Sequence, residues 1–547
     1  MNRIFSGLLE NWPITAIGLG LLTVAILFYG CESRPIAPPP QSEDAASSCG
    51  TLLASGIDRV RPENFGVVGA SVLLRGRIDE AADKLTNWLR REDCQAAVPT
   101  TPLSDEARAL MTRLLGPEAT AELTDEQLDA FNAADLRSAL LNFETAESLS
   151  AGAENDVRRV ERLFNYVVRV ISPEAESSVE LLLSDYEAEL FGRGSAEART
   201  WLFANLLRQL RIDAVVLRPG GTESSDAETP WWIGVPIRGE VYVFDSRLGL
   251  PVPSPEAEFT GESITPPPAT WREIVESPEL LTEYRVKAGL EAQPIDAQRL
   301  KTPRVELIGP STYWAKPIER IELSLQKERG VLLYDPLQDT PAGPGLYHRI
   351  VEAGAGLWTE EAIGVWPYPG EYRRTRAPLL EAETASSSEQ RRLDQRLAPL
   401  LGPVRVEIVQ GAPRIQQPSK DLWLTRVGQM SGTGGGVIGR LLGIVGEAVT
   451  PHPALPPRAE SLNRQAADEA FYWSGHAQYR VGAWDTAIRH IGNYIESNGD
   501  RSDEAAALRV LGLAEQGEWE AAIKAANELP ETVPGRERFV YLAKWWK

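Results

Sequence analysis

Two eight-residue segments near the C-terminus repeat one pattern, and this repeat constrains the fold of its region more than any other feature. VGAWDTAI at 481–488 matches QGEWEAAI at 516–523, and the matching glycines, tryptophans and alanines lie 35 residues apart. Such a period is typical of stacked helical hairpins, in which each unit packs on the next. The sequence therefore predicts α-helical repeats over 466–547.

The pattern resembles the tetratricopeptide repeat, a helix–turn–helix unit of about 34 residues. The resemblance implies that the glycines end the first helix of each pair and that the alanines let paired helices approach closely. The predicted repeat-packing residues are Gly482, Trp484, Ala487, Gly517, Trp519 and Ala522. A divergent third copy is plausible at LLRGRIDEAADKL, where Gly76 and Ala81 keep the spacing. The repeats either bind a protein or peptide partner or only cap the preceding domain.

The N-terminal segment is strongly apolar. No residue from 11 to 31 is charged, and a helix needs about 20 such residues to cross a bilayer. We predict an N-terminal transmembrane helix, with the membrane as a partner through residues 12–31. Residues 1–31 are either an uncleaved signal anchor or a lipoprotein signal, because Phe-Tyr-Gly-Cys at 28–31 resembles the end of such a signal. The flanking charges place the body outside the cytoplasm, at an inner or plasma membrane.

Composition excludes one class of partner and indicates a compartment. The net charge is -21 and the pI is about 4.9, whereas nucleic-acid binding needs clustered Lys and Arg. We therefore expect no nucleic-acid partner. The chain has three cysteines. If Cys31 belongs to the membrane segment, Cys49 and Cys94 are free to pair, as in an oxidising compartment.

The segment 151–255 combines helices and strands in a distinctive order. The helices DVRRVERLFNYVVRVI and AEARTWLFANLLRQL precede the strand-like runs IDAVVL, WWIGVPI and EVYVFDS. This order resembles the bacterial transglutaminase-like domain, which has a papain-like fold. The resemblance implies a Cys at the start of the second helix, then a His and an Asp. Aligned through 206–208, those positions hold Ala196, Pro230 and Asp245, so only the Asp is retained.

The resemblance implies a catalytically dead domain without a catalytic residue. Its cleft offers Trp231, Trp232 and Tyr242 as aromatic contacts for an extended peptide, and the alternative is that these aromatics belong to the core. We expect no cofactor, because the glycine pattern at 434–439 is followed by a Pro-rich stretch where a second strand should be. We expect no metal site, since the four histidines are scattered.

The predicted fold class is a multidomain α+β protein. Its parts are a signal segment (1–31), a linker (32–50), a helical region (51–150), a degenerate transglutaminase-like domain (151–255), a linker with a helix (256–299), an α+β domain (300–449), a Pro-rich linker (450–465) and the repeats (466–547). The strand-like runs of 300–449 are RVELIG, ERIELSL, GVLLYDP and VRVEIVQ.

Two functions are compatible with these features. We favour the first, a membrane-tethered extracytoplasmic scaffold or binding protein for protein or peptide partners, over an enzyme. The alternative is an envelope hydrolase with a carboxylate-based site in 300–425, where acidic residues are frequent.

Overall fold

The structure is a computed structural model. It describes residues 45–547 except 65, 175–180, 222–229, 326–329, 382–386, 411, 417–418, 433–435 and 449–454. By its internal contacts, the chain from Asp44 to Lys547 forms one unit. The predicted segments from residue 51 to residue 547 are therefore parts of this one unit.

The described chain begins with a helical region. Its helices are α1 (Ala45–Val60), α2 (Val72–Arg75), α3 (Ile78–Arg90), α4 (Glu92–Ala97), α5 (Asp105–Leu115), α6 (Pro117–Glu122), α7 (Ala130–Ser150) and α8 (Asp156–Val170). A disulfide between Cys49 and Cys94 links helix α1 to helix α4, with the Cα atoms 5.4 Å apart.

The middle of the chain alternates short strands and helices. Its elements are β1 (Ser172–Pro173), α9 (Asp185–Phe191), β2 (Arg193–Gly194), α10 (Ala196–Gln209), β3 (Val215–Arg218), β4 (Trp232–Ile237), β5 (Glu240–Asp245), β6 (Leu250–Pro251), α11 (Trp271–Glu276), α12 (Glu279–Lys287), α13 (Ala297–Lys301), β7 (Arg304–Leu307), α14 (Lys316–Leu325), α15 (Leu346–Ala353), β8 (Ile363–Val365), α16 (Tyr368–Glu381) and α17 (Ser388–Leu397).

The last part is helical apart from one hairpin. It comprises β9 (Val406–Val409), β10 (Ala412–Ile415), α18 (Asp421–Ser431), α19 (Val437–Ala448), α20 (Pro457–Arg480), α21 (Trp484–Glu496), α22 (Ser502–Glu515), α23 (Trp519–Asn527) and α24 (Arg536–Trp545).

One mixed sheet joins two distant stretches of chain. Its strand order is β6-β5-β4-β3-β7-β8, with antiparallel pairs throughout except for the parallel pair β7–β8. Strands β4 and β5 form a hairpin. Its turn residues Arg238 and Gly239 have φ values of 53° and 87°, as a two-residue hairpin turn requires.

Helices α8 and α10 cover one face of the sheet through an aromatic cluster. The ring centroids of Phe164 and Phe203 lie 5.2 Å apart, and both rings contact Phe244 of β5, at 4.9 and 5.5 Å. The apolar face of α8, which includes Val160 and Val167, is buried. These contacts fix the start of α10 relative to the end of β5.

Two strand-like runs of 300–449 differ from the prediction. ERIELSL lies in helix α14, where Ile318 and Ile321 are buried; their spacing of three residues places them on one helical face. GVLLYDP contains no strand. RVELIG and VRVEIVQ do supply strands, β7 and β9.

The predicted transmembrane helix, and with it the membrane as a partner, requires correction. Across the described residues, no helix combines the length and the apolar character that crossing a bilayer demands. The long helices α7 and α20 carry charged side chains along their length, such as Arg137 and Asp468. The apolar run at 12–31 that carried the prediction lies outside the described residues.

The C-terminal helices form the paired arrangement that the repeat predicted. Helix α20 is followed by α21 after the three-residue turn 481–483, and α22 by α23 after the turn 516–518. Gly482 and Gly517 lie in these turns with φ values of 73° and 76°. A side chain is strained in that conformation, so glycine is favoured at both positions.

The other repeat residues lie in the helices that follow the turns. Trp484 and Trp519 begin α21 and α23 and are half-buried. Ala487 and Ala522 are fully buried, as expected for close helix packing. The proposed N-terminal third copy differs, because the helix before Gly76 is only four residues long.

Candidate functional site

The position predicted for a nucleophile lies at the start of helix α10. Ser195 caps this helix by accepting a hydrogen bond from the backbone N–H of Ala198 at 3.2 Å. Ala196 is the first helical residue and is half-buried. A helix N-terminus lowers the pKa of a thiol placed there, but the methyl group of Ala196 has no proton to lose. Ala196 itself therefore offers no nucleophile at this helix start.

Asp245, the retained acidic residue, is buried at the end of β5 and is occupied by structural hydrogen bonds. Its Oδ1 accepts from the backbone N–H groups of Arg247 at 2.8 Å and Leu248 at 2.9 Å. Its Oδ2 accepts from the hydroxyl of Tyr284. The carboxylate therefore closes the turn after β5 and anchors helix α12.

The predicted aromatic contacts are mostly in the core. Pro230 lies just before β4 and is half-buried, whereas Trp231 and Trp232 are 3% and 2% exposed. The Trp232 ring packs 6.1 Å from that of Trp271. Tyr242 is half-buried and is the one of the three with appreciable surface. The two tryptophans are thus placed to stabilise the sheet, not to contact a peptide.

Free thiols are lacking in the described part of the chain. Cys49 and Cys94 form a disulfide, and Cys31 lies outside the described residues. One cluster there has metal-ligand spacing, made of Cys49, Asp93 and Cys94. Its two sulfur atoms are bonded to each other, so neither is available as a thiolate ligand.

Two of the histidines, His348 and His476, lie away from the predicted site. His348 is exposed and its Nδ1 lies 2.9 Å from Oδ2 of Asp339, which raises the pKa of the imidazole. His476 is buried, and the loss of hydration lowers its pKa well below the usual value. Both lie in elements other than α10, β4 and β5.

Comparison with protein-family models, with curated proteins and with solved structures found no match. The transglutaminase-like and tetratricopeptide-like resemblances therefore rest on the residue patterns alone.

A groove of about 620 Å³ lies between the start of the middle region and the C-terminal helices. It is lined by the turn between α21 and α22, by the end of α17 and by the segment around β1 and β2. The lining residues are Pro173, Glu174, Phe191, Arg193, Arg396, Pro399, Glu469, Gly499, Asp500, Arg501, Ser502, Asp503, Glu504 and Pro534. A volume of this size is typical of ligand-binding clefts.

Ion pairs connect the walls of this groove. Arg193 bonds Glu504 at 2.6 Å, and Arg501 bonds Glu469 at 2.8 Å. The guanidinium of Arg501 also donates to the carbonyl of Phe191 at 2.8 Å. The arginines thus tie the β1–β2 segment to the C-terminal helices.

A further pair and two acidic side chains complete the groove. Arg396 of α17 contacts Glu174 at 2.5 Å. Asp500 is exposed and Asp503 is half-buried on the wall that the C-terminal helices supply. Among the described residues, the lining therefore holds three arginines and five carboxylates, an excess of negative charge.

Sequence reasoning missed this groove, because its residues come from segments up to 361 positions apart, from Pro173 to Pro534. The local signal is weak. The stretch from Asn498 to Glu504, which supplies much of one wall, reads as an ordinary polar inter-helix turn.

The buried carboxylates of 300–425 are held by permanent partners. Glu306 is bonded by Arg218 at 3.2 Å and Arg304 at 3.1 Å. Glu322 accepts hydrogen bonds from the backbone N–H groups of residues 333 and 334, at 2.6 and 2.7 Å. Asp335 is bonded at 2.8 Å by Arg349. These contacts favour structural roles for the three carboxylates over the hydrolase alternative.

Proposed function

We propose that this protein is a binding protein without thiol catalysis, and that its groove holds an extended, positively charged peptide segment of a protein partner. The observation that carries this proposal is the groove, which has a volume of about 620 Å³ and more carboxylates than arginines in its lining. One of these carboxylates, that of Asp500, is exposed to solvent.

Charge decides the class of partner. Three of the five carboxylates, those of Glu174, Glu469 and Glu504, are matched by arginines. The carboxylates of Asp500 and Asp503 add two negative charges to the lining beyond these three. Complementary charge steers association and favours partners of the opposite sign. A Lys- or Arg-bearing segment fits this surface, and the chain's net charge of -21 acts in the same direction.

The apolar part of the lining favours an extended segment. Pro173, Pro399 and Pro534 line the groove together with Phe191. Prolines have a fixed backbone, so little conformational entropy is lost when such a surface is covered. Alternating basic and small apolar side chains would contact both parts of the lining.

The degenerate transglutaminase-like domain is part of the same proposal. The start of α10 faces the end of β5, since Arg199 donates to the carbonyl of Ser246 at 3.0 Å. This arrangement supports a papain-like fold in which Ala196 and Pro230 replace the nucleophile and the base. Loss of both groups should abolish the chemistry of such a site.

We place the protein outside the cytoplasm. The support is the Cys49–Cys94 disulfide, because disulfides persist in oxidising compartments and are rare in the cytosol.

The binding proposal is tested by fluorescence anisotropy with two short labelled peptides. One alternates lysine with alanine, and the other has glutamate in place of lysine. We expect the purified protein to bind the lysine peptide with an affinity that falls as the salt concentration rises. It should not bind the glutamate peptide. The Asp500→Asn/Asp503→Asn variant should bind the lysine peptide several-fold more weakly.

The matched control is Glu518→Gln/Glu520→Gln, which removes the same charge from exposed positions by the start of α23, outside the groove lining. It should leave binding unchanged apart from the effect of net charge. Equal weakening by both double variants would show that net charge, and not the groove, attracts the peptide. No binding of the lysine peptide at low salt would refute the proposed partner class.

A further inference from the structure

Two buried arginines from distant parts of the chain meet beneath the groove. Arg199 belongs to α10 and Arg538 to α24, and each is 4% exposed. Both border Gly249 in the turn after β5: a Cβ built on this glycine would lie 3.3 Å from Cδ of Arg538 and 3.7 Å from Nη1 of Arg199. The two cationic side chains therefore lie next to one another.

A small cavity opens beside them. Its volume is about 30 Å³, above the 10–15 Å³ that one water-sized occupant needs. Its lining combines the two arginines with Arg169 and apolar side chains, and consists of Val168, Arg169, Ser172, Pro173, Arg199, Leu248, Glu504, Ala507, Leu508, Leu511, Pro534, Gly535, Arg538 and Phe539.

The hydrogen bonds of the two arginines are unequal. Arg199 donates to the carbonyl of Ile171 at 2.6 and 2.9 Å and to that of Ser246. Arg538 donates through Nη1 to the carbonyl of Val168 at 3.1 Å. Its buried Nε and Nη2 have no acceptor among the described residues. Buried N–H groups without an acceptor lower the stability of the folded state. A hydrogen-bond acceptor bound in the cavity would therefore stabilise Nε and Nη2 of Arg538.

The charges around the cavity are also unbalanced. Asp245 acts electrostatically on Arg199, but its oxygens already accept bonds from two backbone amides and Tyr284. Glu504 lines the cavity and is paired with Arg193 on the groove side. Burial, together with the neighbouring positive charge of Arg538, lowers the pKa of Arg199 to about 9, although Asp245 acts in the opposite direction.

We infer that the cavity is a binding site for one small inorganic anion of the halide class, held by the guanidinium groups of Arg199 and Arg538. A chloride ion accepts hydrogen bonds from the N–H groups of Arg538, as a water molecule would. Unlike water, it also brings a negative charge close to two buried cations. The volume is sufficient for a monatomic anion.

The site joins the C-terminal helix to the rest of the chain. Arg538 is the residue through which α24 reaches Val168 at the end of α8, while Arg199 bonds the ends of α8 and β5. Binding of an anion between them stabilises the folded state by mass action. The inference does not depend on whether the groove above binds a peptide.

Thermal unfolding of the full purified protein tests the site. At constant ionic strength, replacement of sodium gluconate by sodium chloride should raise the Tm of the wild type in a saturable manner. Arg538→Met should lose this chloride dependence. Arg509→Met, on the exposed face of the neighbouring helix α22, should keep it. A chloride effect that survives in Arg538→Met would place the ion elsewhere, and equal Tm values in both salts would overturn the inference.

A second measurement covers the case in which Arg538→Met does not fold. Crystals of the wild type soaked in sodium bromide should show an anomalous peak between the guanidinium groups of Arg199 and Arg538. A cavity without such a peak, in crystals that carry bromide at other positions, would show that only water enters.

Discussion

The hydroxyl of Tyr284 in helix α12 donates a hydrogen bond to Oδ2 of Asp245 at the end of β5. The tyrosine is 1% exposed and the aspartate 4%. Together with the backbone N–H groups of Arg247 and Leu248 that donate to its Oδ1, this contact assigns the Asp245 carboxylate a structural role: it organises the turn after β5 and anchors helix α12.

Removal of that hydroxyl should therefore destabilise the fold. We expect Tyr284→Phe to lower the free energy of unfolding by about 2 kcal/mol, because a buried carboxylate loses a donor. Tyr242→Phe is the matched control, since Tyr242 lies on the same strand as Asp245 but is half-buried, and it should cost less. Urea titration of both variants measures the difference. Equal small losses would assign Asp245 a role that does not depend on Tyr284.

The disulfide offers a second test. It closes a loop with a sequence separation of 45 residues, for which loop-closure entropy predicts a stabilisation of about 2–4 kcal/mol. Reductant should lower the Tm of the wild type. The Cys49→Ser/Cys94→Ser variant should already have the lower Tm and should not respond to reductant. A wild type that is insensitive to reductant would mean that the bond contributes nothing to stability.

A third prediction concerns the missing nucleophile. A thiol introduced by Ala196→Cys would stand at the first position of α10, half-exposed and next to free backbone N–H groups. It should be alkylated by iodoacetamide, whereas Ala204→Cys, buried on the same helix, should not be. Neither variant should hydrolyse amides or transfer acyl groups, because Pro230 supplies no base. Thiol-dependent amide hydrolysis by Ala196→Cys would reveal a base that the described residues do not show.

The sequence predicted local structure well where one periodicity dominates. The runs that became β3, β4 and β5 are rich in β-branched and aromatic residues, and the turn at Arg238-Gly239 was recognisable from its glycine. The paired C-terminal helices followed from a repeat that places small residues at the packing positions Ala487 and Ala522.

The order and pairing of the strands in the sheet could not be predicted from the sequence pattern. Strand β7 pairs with β3 across about ninety residues, from Val215 to Leu307, and periodicity within a segment carries no information on such pairing. The run ERIELSL was predicted to be strand-like, yet it lies in helix α14, where Ile318 and Ile321 are buried. The secondary structure of this run is determined by tertiary packing and not by the local preference of its residues.

The candidate site illustrates the same limit. The sequence shows directly that the predicted site has no Cys and no His, because this depends only on which residues stand at positions 196 and 230. The groove depends on Arg193, Arg396 and Arg501 reaching acidic partners on other elements, and each of these arginines resembles an ordinary surface charge in the sequence.

The repeat packing is tested by a substitution that adds volume. Ala487 is fully buried in α21, so Ala487→Trp should overpack the interface with α20 and cost about 1–3 kcal/mol. Arg489→Trp, on the exposed side of the same helix, is the matched control and should cost little. Circular-dichroism melts measure both. Equal melting temperatures for Ala487→Trp and the wild type would contradict close helix packing at this position.

The last prediction concerns pH. Glu189 of α9 is fully buried, and the loss of hydration raises the pKa of its carboxyl to about 7, although the Tyr166 hydroxyl and Arg426 act in the opposite direction. In the unfolded chain a glutamate has a pKa of about 4.3. Between these values the folded state binds the proton more strongly than the unfolded state does. The stabilisation is therefore complete below about pH 4.3 and is lost as pH rises through about 7.

Glu189→Gln is uncharged at every pH and should remove this dependence. From about pH 6 to about pH 8 the wild type should lose unfolding free energy, and the variant should lose on the order of 1 kcal/mol less. Asp135, whose pKa burial also raises to about 7, should account for part of the decline that remains. Glu518→Gln, at an exposed position, serves as the control and should follow the wild type. Urea titrations across this range decide the matter: if Glu189→Gln and the wild type decline in parallel, Glu189 is ionised in the folded protein throughout, and a partner must compensate its buried charge.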